Sequence, residues 1–335
     1  MIPSNTIAEH LDRKNILVTG ASGFVGLSVI SHLISLASET KITFTLELIT
    51  RQATDPLRRL ENQASSLGIP VVFANSEIGH KIVPSRAIDI VFHFATPTSA
   101  EFNVNDPLKM LHTNVMAAEW IINSPELLKQ HPKVVFSSSG AIYGPSDANI
   151  PIKETSVRGP NPMAPGMAYS EGKRIAEMML CEAGRDRLLE PIIARLFTFS
   201  GPRLPLDKHF AIGNFVKAAA EEQHIQVRSN GLSTRSYLDS RDMSDWLVRA
   251  SVLPINGHPL HIGSESEVSI GELAGVVASR YKHLTDQTCA VSVLNETSRY
   301  DGFSYYVPSN QFTRQLLGVN AEISLSDSID QMFQF

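Results

Sequence analysis

The chain carries only two cysteines, Cys181 and Cys289, in 335 residues. Two thiols cannot build a disulfide framework, and the pattern suits a reducing compartment, so the cytoplasm is the expected location. Charge of one sign is missing too. The 34 acidic and 29 basic residues leave a formal −5, which argues against a nucleic-acid partner and requires any phosphate to be held locally. No uncharged apolar run reaches the roughly 18 residues of a membrane span, so no membrane partner is expected. Residues 1–13 contain Glu9, His10, Asp12 and Arg13; they lack the apolar stretch of a secretory signal and are expected to be a frayed tail. Without an export signal the sequon Asn295-Glu296-Thr297 carries no meaning. None of the 11 histidines stands in H-E-x-x-H or a comparable spacing, so no metal site is expected.

What is present reads as a folded α/β chain. Hydrophobic residues make up 43% and charged residues 19%, and the length against about 150 residues per domain suggests two lobes. A buried strand over 14–19 runs into Gly20, Gly23 and Gly26 and then an apolar-periodic helix over 25–36. Further strands are expected over 42–50, 71–73, 88–94, 134–138 and 191–197, with helices from Asp106-Pro107 to 122 and over 169–183. This alternation predicts a doubly wound parallel sheet with ligands at the carboxyl ends of its strands. Beyond 199 the pattern loosens into a helix over 212–222, a strand over 225–227 and a helix over 269–281 that Ser269 would cap. The expected division is therefore a tail over 1–13, a sheet domain over 14–197 and, over 198–335, mainly a smaller lobe that folds over the ligand.

Thr19-Gly20-Ala21-Ser22-Gly23-Phe24-Val25-Gly26 lies between the first strand and its helix. Glycines there let the backbone approach a dinucleotide pyrophosphate, whose charge meets free N–H groups at the helix N-terminus. A P-loop is excluded, because five residues separate Gly166 from Gly172 and Arg174 stands where Ser or Thr is needed. Tyr169 and Lys173, four apart, share one helical face. A cation beside a phenol favours the phenolate, so Lys173 is expected to lower a pKa that starts near 10. Alone, the spacing also fits a solvated helical pair. Val134 to Gly144 adds a buried strand delivering Ser137, Ser138 and Ser139 to its end. A serine there can hydrogen-bond the substrate oxygen that Tyr169 protonates or deprotonates; the bland reading is a serine-rich turn.

Together these motifs resemble the extended short-chain dehydrogenase/reductase family, and within it the nucleotide-sugar epimerases and dehydratases. The resemblance runs from Asn15 to about Leu247 through T-G-x-x-G-F-x-G, His93-Phe94-Ala95, Asp106-Pro107 with Asn114-Val115, S-S-S-x-x-x-Y-G, Y-x-x-x-K, Gly201-Pro202 and Arg235-Ser236-Tyr237. It implies a Rossmann-type domain with a C-terminal substrate lobe, and a pyrophosphate cradled by Gly20, Ser22, Gly23, Phe24, Val25 and Gly26. Ala95 would line the cofactor and Asn114 would support it. Ser139, Tyr169 and Lys173 would be catalytic, with Lys173 also on the nicotinamide ribose. Ser138, Ser139, Thr198, Asn214, Phe215 and Arg235 would meet the nucleotide sugar, Arg235 gripping its diphosphate. His209 and Phe210 would face the same ligand or serve the structure. The family's homodimers would pair here through helices over 108–122 and 169–183.

The departures from the family's pattern sharpen the reaction. Dehydratases follow the catalytic hydroxyl with an Asp-Glu pair and decarboxylases keep the Glu, yet this chain has Gly140 and Ala141. Neither exchanges a proton, which disfavours a 4,6-dehydratase. Thr198 stands where a substrate-facing Asn is usual. Thr50-Arg51 stand where NAD enzymes place an acid for the adenosine ribose; Arg51 accommodates a 2′-phosphate or stacks on adenine, so NAD is expected and NADP stays open. The expectation is a C4 epimerase of a nucleoside-diphosphate hexose working through a transient 4-keto sugar. The alternatives are a 4-ketosugar reductase, a decarboxylase of a nucleotide uronic acid, or a non-catalytic cofactor sensor.

Overall fold

The computed structural model describes residues 3–75, 83–97, 100–145, 149–207, 210–255, 257–294 and 304–333. The sequon at 295–297 and His209 lie outside them. In chain order, α1 (Ser4–Leu11) precedes β1 (Asn15–Thr19) and α2 (Phe24–Thr40), then β2 (Thr45–Thr50), α3 (Asp55–Ser66), β3 (Val71–Asn75) and β4 (Ile90–His93). There follow α4 (Ala100–Asn105), α5 (Pro107–Ile122), α6 (Pro125–Leu128), β5 (Lys133–Ser139), α7 (Ala168–Arg185) and β6 (Glu190–Leu196). Ile16, Leu17 and Val18 of β1 and Val134, Val135 and Phe136 of β5 are all fully buried. Such unbroken apolar runs are what parallel strands covered on both faces require. Asp106 caps α5, accepting the Lys109 N–H at 3.2 Å, with Pro107 in the first turn.

The expected frayed tail is a helix instead. Ile7, Ala8 and Leu11 lie on one face of α1 and are buried against α2 and α9 (Ser240–Val252), an amphipathic stripe too short to stand out among the charges around it.

The second half of the chain contains β7 (Phe199–Ser200), α8 (Ala211–Glu222), β8 (His224–Val227), β9 (Thr234–Ser236), β10 (Leu238–Asp239), α9, β11 (Leu260–Ile262), β12 (Glu267–Ser269), α10 (Ile270–Thr285), β13 (Ala290–Val293), β14 (Tyr305–Tyr306), α11 (Gln311–Leu317) and α12 (Leu325–Met332). Ser269 caps α10 in a reciprocal capping box with Glu272. The central sheet continues beyond 197. β11 adds a seventh parallel strand beside β6, giving the order β11-β6-β5-β4-β1-β2-β3. Met243, Trp246, Leu247 and Val248 of α9 join the same core as Ile16 and Val18. The smaller lobe keeps its own core, with Ile212, Phe215, Ile225, Leu273 and Val277. The strand order reverses between β1 and β4, and ligands of open α/β sheets bind at such a switch point.

Candidate active site

The glycine turn lies at the switch point. Gly20 has φ +67, and a Cβ there would lie 2.8 Å from the Ala95 nitrogen and the Phe94 carbonyl carbon, so only glycine fits where β1 and β4 end side by side. A Cβ at Gly26 would lie 2.4 Å from the Gly20 oxygen, which lets α2 start tightly against the turn. Gly23 is the N-cap, and the first turn of α2 has no acidic residue. Its N–H groups and the helix dipole therefore meet an anion unopposed. Phe24 and Val25 are half-buried behind the turn, Phe24 beside Phe199 with ring centroids 6.4 Å apart. Ser22 Oγ and Thr50 Oγ1 are 2.7 Å apart, tying the turn to the end of β2. There Arg51 stands exposed beside a pocket also lined by Gln52, Arg58 and Phe73, with no carboxylate among its lining residues. These residues fit a dinucleotide: a backbone cradle for the diphosphate, and guanidinium and ring surface for the adenosine end.

On the β4 side, the His93 Nδ1 and Thr19 Oγ1 are 2.9 Å apart, and the half-buried Ala95 donates its N–H to the same Thr19 oxygen at 3.3 Å. Burial pulls the His93 imidazole down to about 3, helped by Lys173, so the ring is neutral. Asn114 is fully buried, its amide donating to the Met110 carbonyl at 2.9 Å. A Cβ at Gly172 would lie 2.9 Å from the Asn114 Cβ. Asn114 thus seats α7 on α5, a supporting position rather than an open cofactor contact.

Ser139, Tyr169 and Lys173 come together. The Tyr169 phenol lies beside the Ser139 side chain, which favours its ionised form, and the Lys173 Nζ lies 5.9 Å from the Tyr169 ring centroid. Lys173 is 1% exposed and donates to Thr96 Oγ1 at 2.6 Å and the Ser137 carbonyl at 2.5 Å. Its ammonium also sits 4.8 Å above the Phe136 ring. The helix start is held by α4, where Asn103 accepts the Tyr169 N–H at 3.0 Å and donates to the Gly166 carbonyl at 2.7 Å.

The electrostatics correct one expectation. Burial raises the Tyr169 phenol, and the Ser139 hydrogen bond opposes it only in part. Burial likewise pulls Lys173 down to about 7, against Glu177. A lysine charged only part of the time at neutral pH does not outweigh desolvation of the phenol. A positive charge brought in beside the pair would favour the Tyr169 phenolate and the neutral Lys173 amine.

Ser138 faces away from the reaction centre. It donates to Glu177 Oε1, on the face of β5 opposite Ser139, because neighbouring residues of a strand point to opposite faces. Glu177 pairs in two-pronged fashion with Arg195, at 3.1 and 2.8 Å. Arg195 in turn donates to the Tyr143 oxygen at 2.5 Å, and Tyr143 donates to His261 Nε2 at 2.7 Å. His261 Nδ1 donates to the Ser309 carbonyl at 2.8 Å. Burial holds the Tyr143 phenol up near 12 and His261 down near 3.

The residue that sequence reasoning missed is Tyr306 on β14. Its phenol lies beside Ser139 and is raised by burial, and its ring packs on Phe197 with centroids 4.9 Å apart. Arg235 lies beside it on β9, its guanidinium carbon 6.0 Å from the Tyr306 ring centroid and its Nη1 donating to the Thr234 carbonyl at 2.9 Å. Thr198 donates to the Ser236 carbonyl at 2.5 Å, so its hydroxyl is used inside the lobe. Phe215, expected on the substrate, is instead packed into the lobe core with Ile212, Val216 and Ala219 at helical spacing, while Asn214 is exposed. Phe210 is half-buried against that core.

Among the described residues no group of three or more His, Cys, Asp or Glu side chains could hold a metal ion, and no helix is long and apolar enough to cross a membrane. Similar proteins include UDP-glucuronic acid decarboxylase 1 of Xenopus tropicalis, 25% identical over 327 residues covering 97% of this chain and 72% of that protein. UDP-glucuronic acid decarboxylase 3 of Arabidopsis thaliana is 27% identical over 321 residues, 95% of this chain and 87% of its own. Among solved structures, UDP-glucose 4-epimerase of Thermotoga maritima superposes with a TM-score of 0.78 at 22% identity, over 96% of this chain and 97% of that one. At that identity the likeness speaks for the fold. The NAD dependent epimerase/dehydratase family matches residues 16–263, a span that includes the glycine turn, Ser139, Tyr169, Lys173 and β11. The chain belongs to that family, and is an NAD-dependent enzyme of it.

Proposed function

We propose that the chain oxidises a nucleotide sugar at C4 and returns the hydride to the other face, the reaction of a C4 epimerase. The observation that carries this reading is the joined Ser139, Tyr169 and Lys173 group with no carboxylate at Gly140 or Ala141. When bound, NAD supplies the hydride acceptor and, oxidised, a positive ring. Tyr169 takes the proton of the C4 hydroxyl as hydride leaves C4, and gives it back after the 4-keto sugar has turned over. Ser139 holds that oxygen in place, Lys173 favours the ionised phenol, and Arg235 grips the diphosphate. Elimination of a hydroxyl from the ring would need a further acid and base that positions 140 and 141 do not provide.

A second reading is decarboxylation of a nucleotide uronic acid, favoured by the two decarboxylase relatives that match nearly the whole chain. A C4 ketone is β to the C6 carboxylate and labilises it without a further acid. Pairing of two copies through α5 and α7, where Leu108 and Met178 stand exposed, belongs to the same proposal and is tested by sedimentation.

Purified protein should interconvert C4 epimers of a UDP-sugar without added reductant. Carbon dioxide from UDP-glucuronic acid would select the second reading, and stoichiometric NADPH consumption with a 4-ketosugar would select a reductase. Failure across UDP-, dTDP-, CDP- and GDP-sugars overturns all three.

A further inference from the structure

A helix begins with backbone N–H groups that have no partner inside the helix, and a polar side chain at the N-cap normally receives one of them. The start of α7 lacks that cap. Its N-cap residue is Met167, which makes no side-chain cap hydrogen bond. The turn before it, at Gly166, has φ +82 and open space where a Cβ would stand. Tyr169 is the second residue of this helix and so lies in its uncapped first turn.

Asn103 of α4 stands in for the missing cap. Its one side-chain amide makes two bonds: Oδ1 accepts the Tyr169 N–H at 3.0 Å, and Nδ2 donates to the Gly166 carbonyl at 2.7 Å. α4 is carried in turn by α5. The Asp106 N–H donates to the Phe102 carbonyl at 3.0 Å, and the Lys109 ammonium lies 5.9 Å from the Phe102 ring centroid. Lys173 has supports of its own. Its Nζ is fixed on Thr96 and the Ser137 carbonyl, and Gly172 beside it is pressed on α5, where a Cβ would lie 2.9 Å from that of Asn114. Helix ends fray, so the turn that carries Tyr169 can loosen while Lys173 stays in place.

We propose that Asn103 is a positioning residue: it caps α7 from another element and fixes the Tyr169 backbone relative to an independently anchored Lys173. The inference rests on the function proposed above, in which Tyr169 is the phenol that gives and takes the C4 proton. Removing the amide lets the phenol swing away from that oxygen. The groups that would hold the cofactor do not move with it.

Residue-resolved hydrogen exchange tests the hold on the purified chain without substrate. The Glu171 N–H bonds the Met167 carbonyl at 2.9 Å and closes the first turn. In Asn103→Ala it should exchange about fivefold faster, the worth of one helix cap, while the Leu180 amide farther along α7 keeps its rate. Asn103→Asp retains an oxygen for the Tyr169 N–H, and a carboxylate suits a helix N-terminus, so Glu171 should stay within about twofold of the unaltered chain. Asn103 is half-buried, so neither change opens the core. An unchanged Glu171 rate, an equal rise at Leu180, or an aspartate variant as fast as the alanine variant overturns the proposal. With a nucleotide sugar that is turned over, kcat of Asn103→Ala should fall about fivefold at unchanged NAD affinity, and Asn103→Asp should restore it. An unchanged kcat, or a loss of NAD affinity by the same factor, overturns it too. If no sugar is turned over, the proposed function fails while the exchange rates still decide whether Asn103 holds Tyr169.

Discussion

In the sheet layer, each group at the reaction centre is placed by its own neighbours: Gly20 by a positive φ ahead of α2, Ser139 by the end of β5, Tyr169 and Lys173 by one helical turn of α7. In the second lobe, Tyr306 and Arg235 arrive because β14 pairs with β9, setting Tyr306 opposite Arg235 from far apart in the sequence. In the proposed reaction the first kind of group touches the atoms that react. In the same proposal Arg235 acts on the distant end of the substrate. The contrast predicts unequal losses. Tyr169→Phe should lower kcat by about 10²–10⁴-fold while dinucleotide binding, followed by ligand-induced quenching of fluorescence, stays intact. If turnover survives that change while a second-lobe substitution abolishes it, the division of labour is wrong.

The same difference explains what could be read in advance. β1, β4 and β5 announce themselves because parallel strands covered on both faces are continuously apolar, and the glycine turn because backbone approach excludes a Cβ. β11 has only three residues with His261 at its centre, and β14 only two, so neither has a period to detect. Tyr306 is one more aromatic near the end of the chain until strand pairing sets it opposite Arg235. The fate of Ser138 was legible in principle, since alternation along β5 sends it and Ser139 to opposite faces, but not its partner Glu177 on α7. The direction of the Tyr169 shift was misjudged because proximity of Lys173 can be read from spacing and desolvation cannot.

Behind the reaction centre a chain of buried polar groups crosses between the two regions and sharpens the comparison. Arg195 and Glu177 retain 14% and 10% side-chain exposure. Arg195→Met leaves Glu177 buried without its cation, a loss of about 3–5 kcal/mol in unfolding free energy by denaturant titration. Such a loss is a matter of stability, so the surviving folded fraction should keep a Tyr169 phenolate transition close to that of the unaltered chain. A large shift in that transition would mean that the network also tunes the reaction centre.

Acid should expose the two buried histidines, both on strands of the central sheet. His93 and His261 are both held near 3 in the folded protein against 6.5 when exposed. The unfolded chain therefore binds more protons between those values, and stability rises with pH across that window. Below pH about 6.5 each histidine costs up to about 1.4 kcal/mol per pH unit. Melting temperature should drop from pH 7 to pH 5, and His261→Gln should remove about half of the slope. A flat or inverted profile would show that carboxylates or other groups dominate.

Arg235 should give the smallest effect. A guanidinium grips a diphosphate through paired N–H groups, and Arg235 lies next to Tyr306. Arg235→Lys keeps the charge and loses the fork, so KM for the nucleotide sugar should rise about tenfold, the loss of about one charge-assisted hydrogen bond, with kcat within a few-fold. Arg235→Leu should raise KM further and still spare kcat. Should either change lower kcat and leave KM alone, Arg235 acts on the transition state through Tyr306, and the second lobe takes part in the chemistry rather than only in binding.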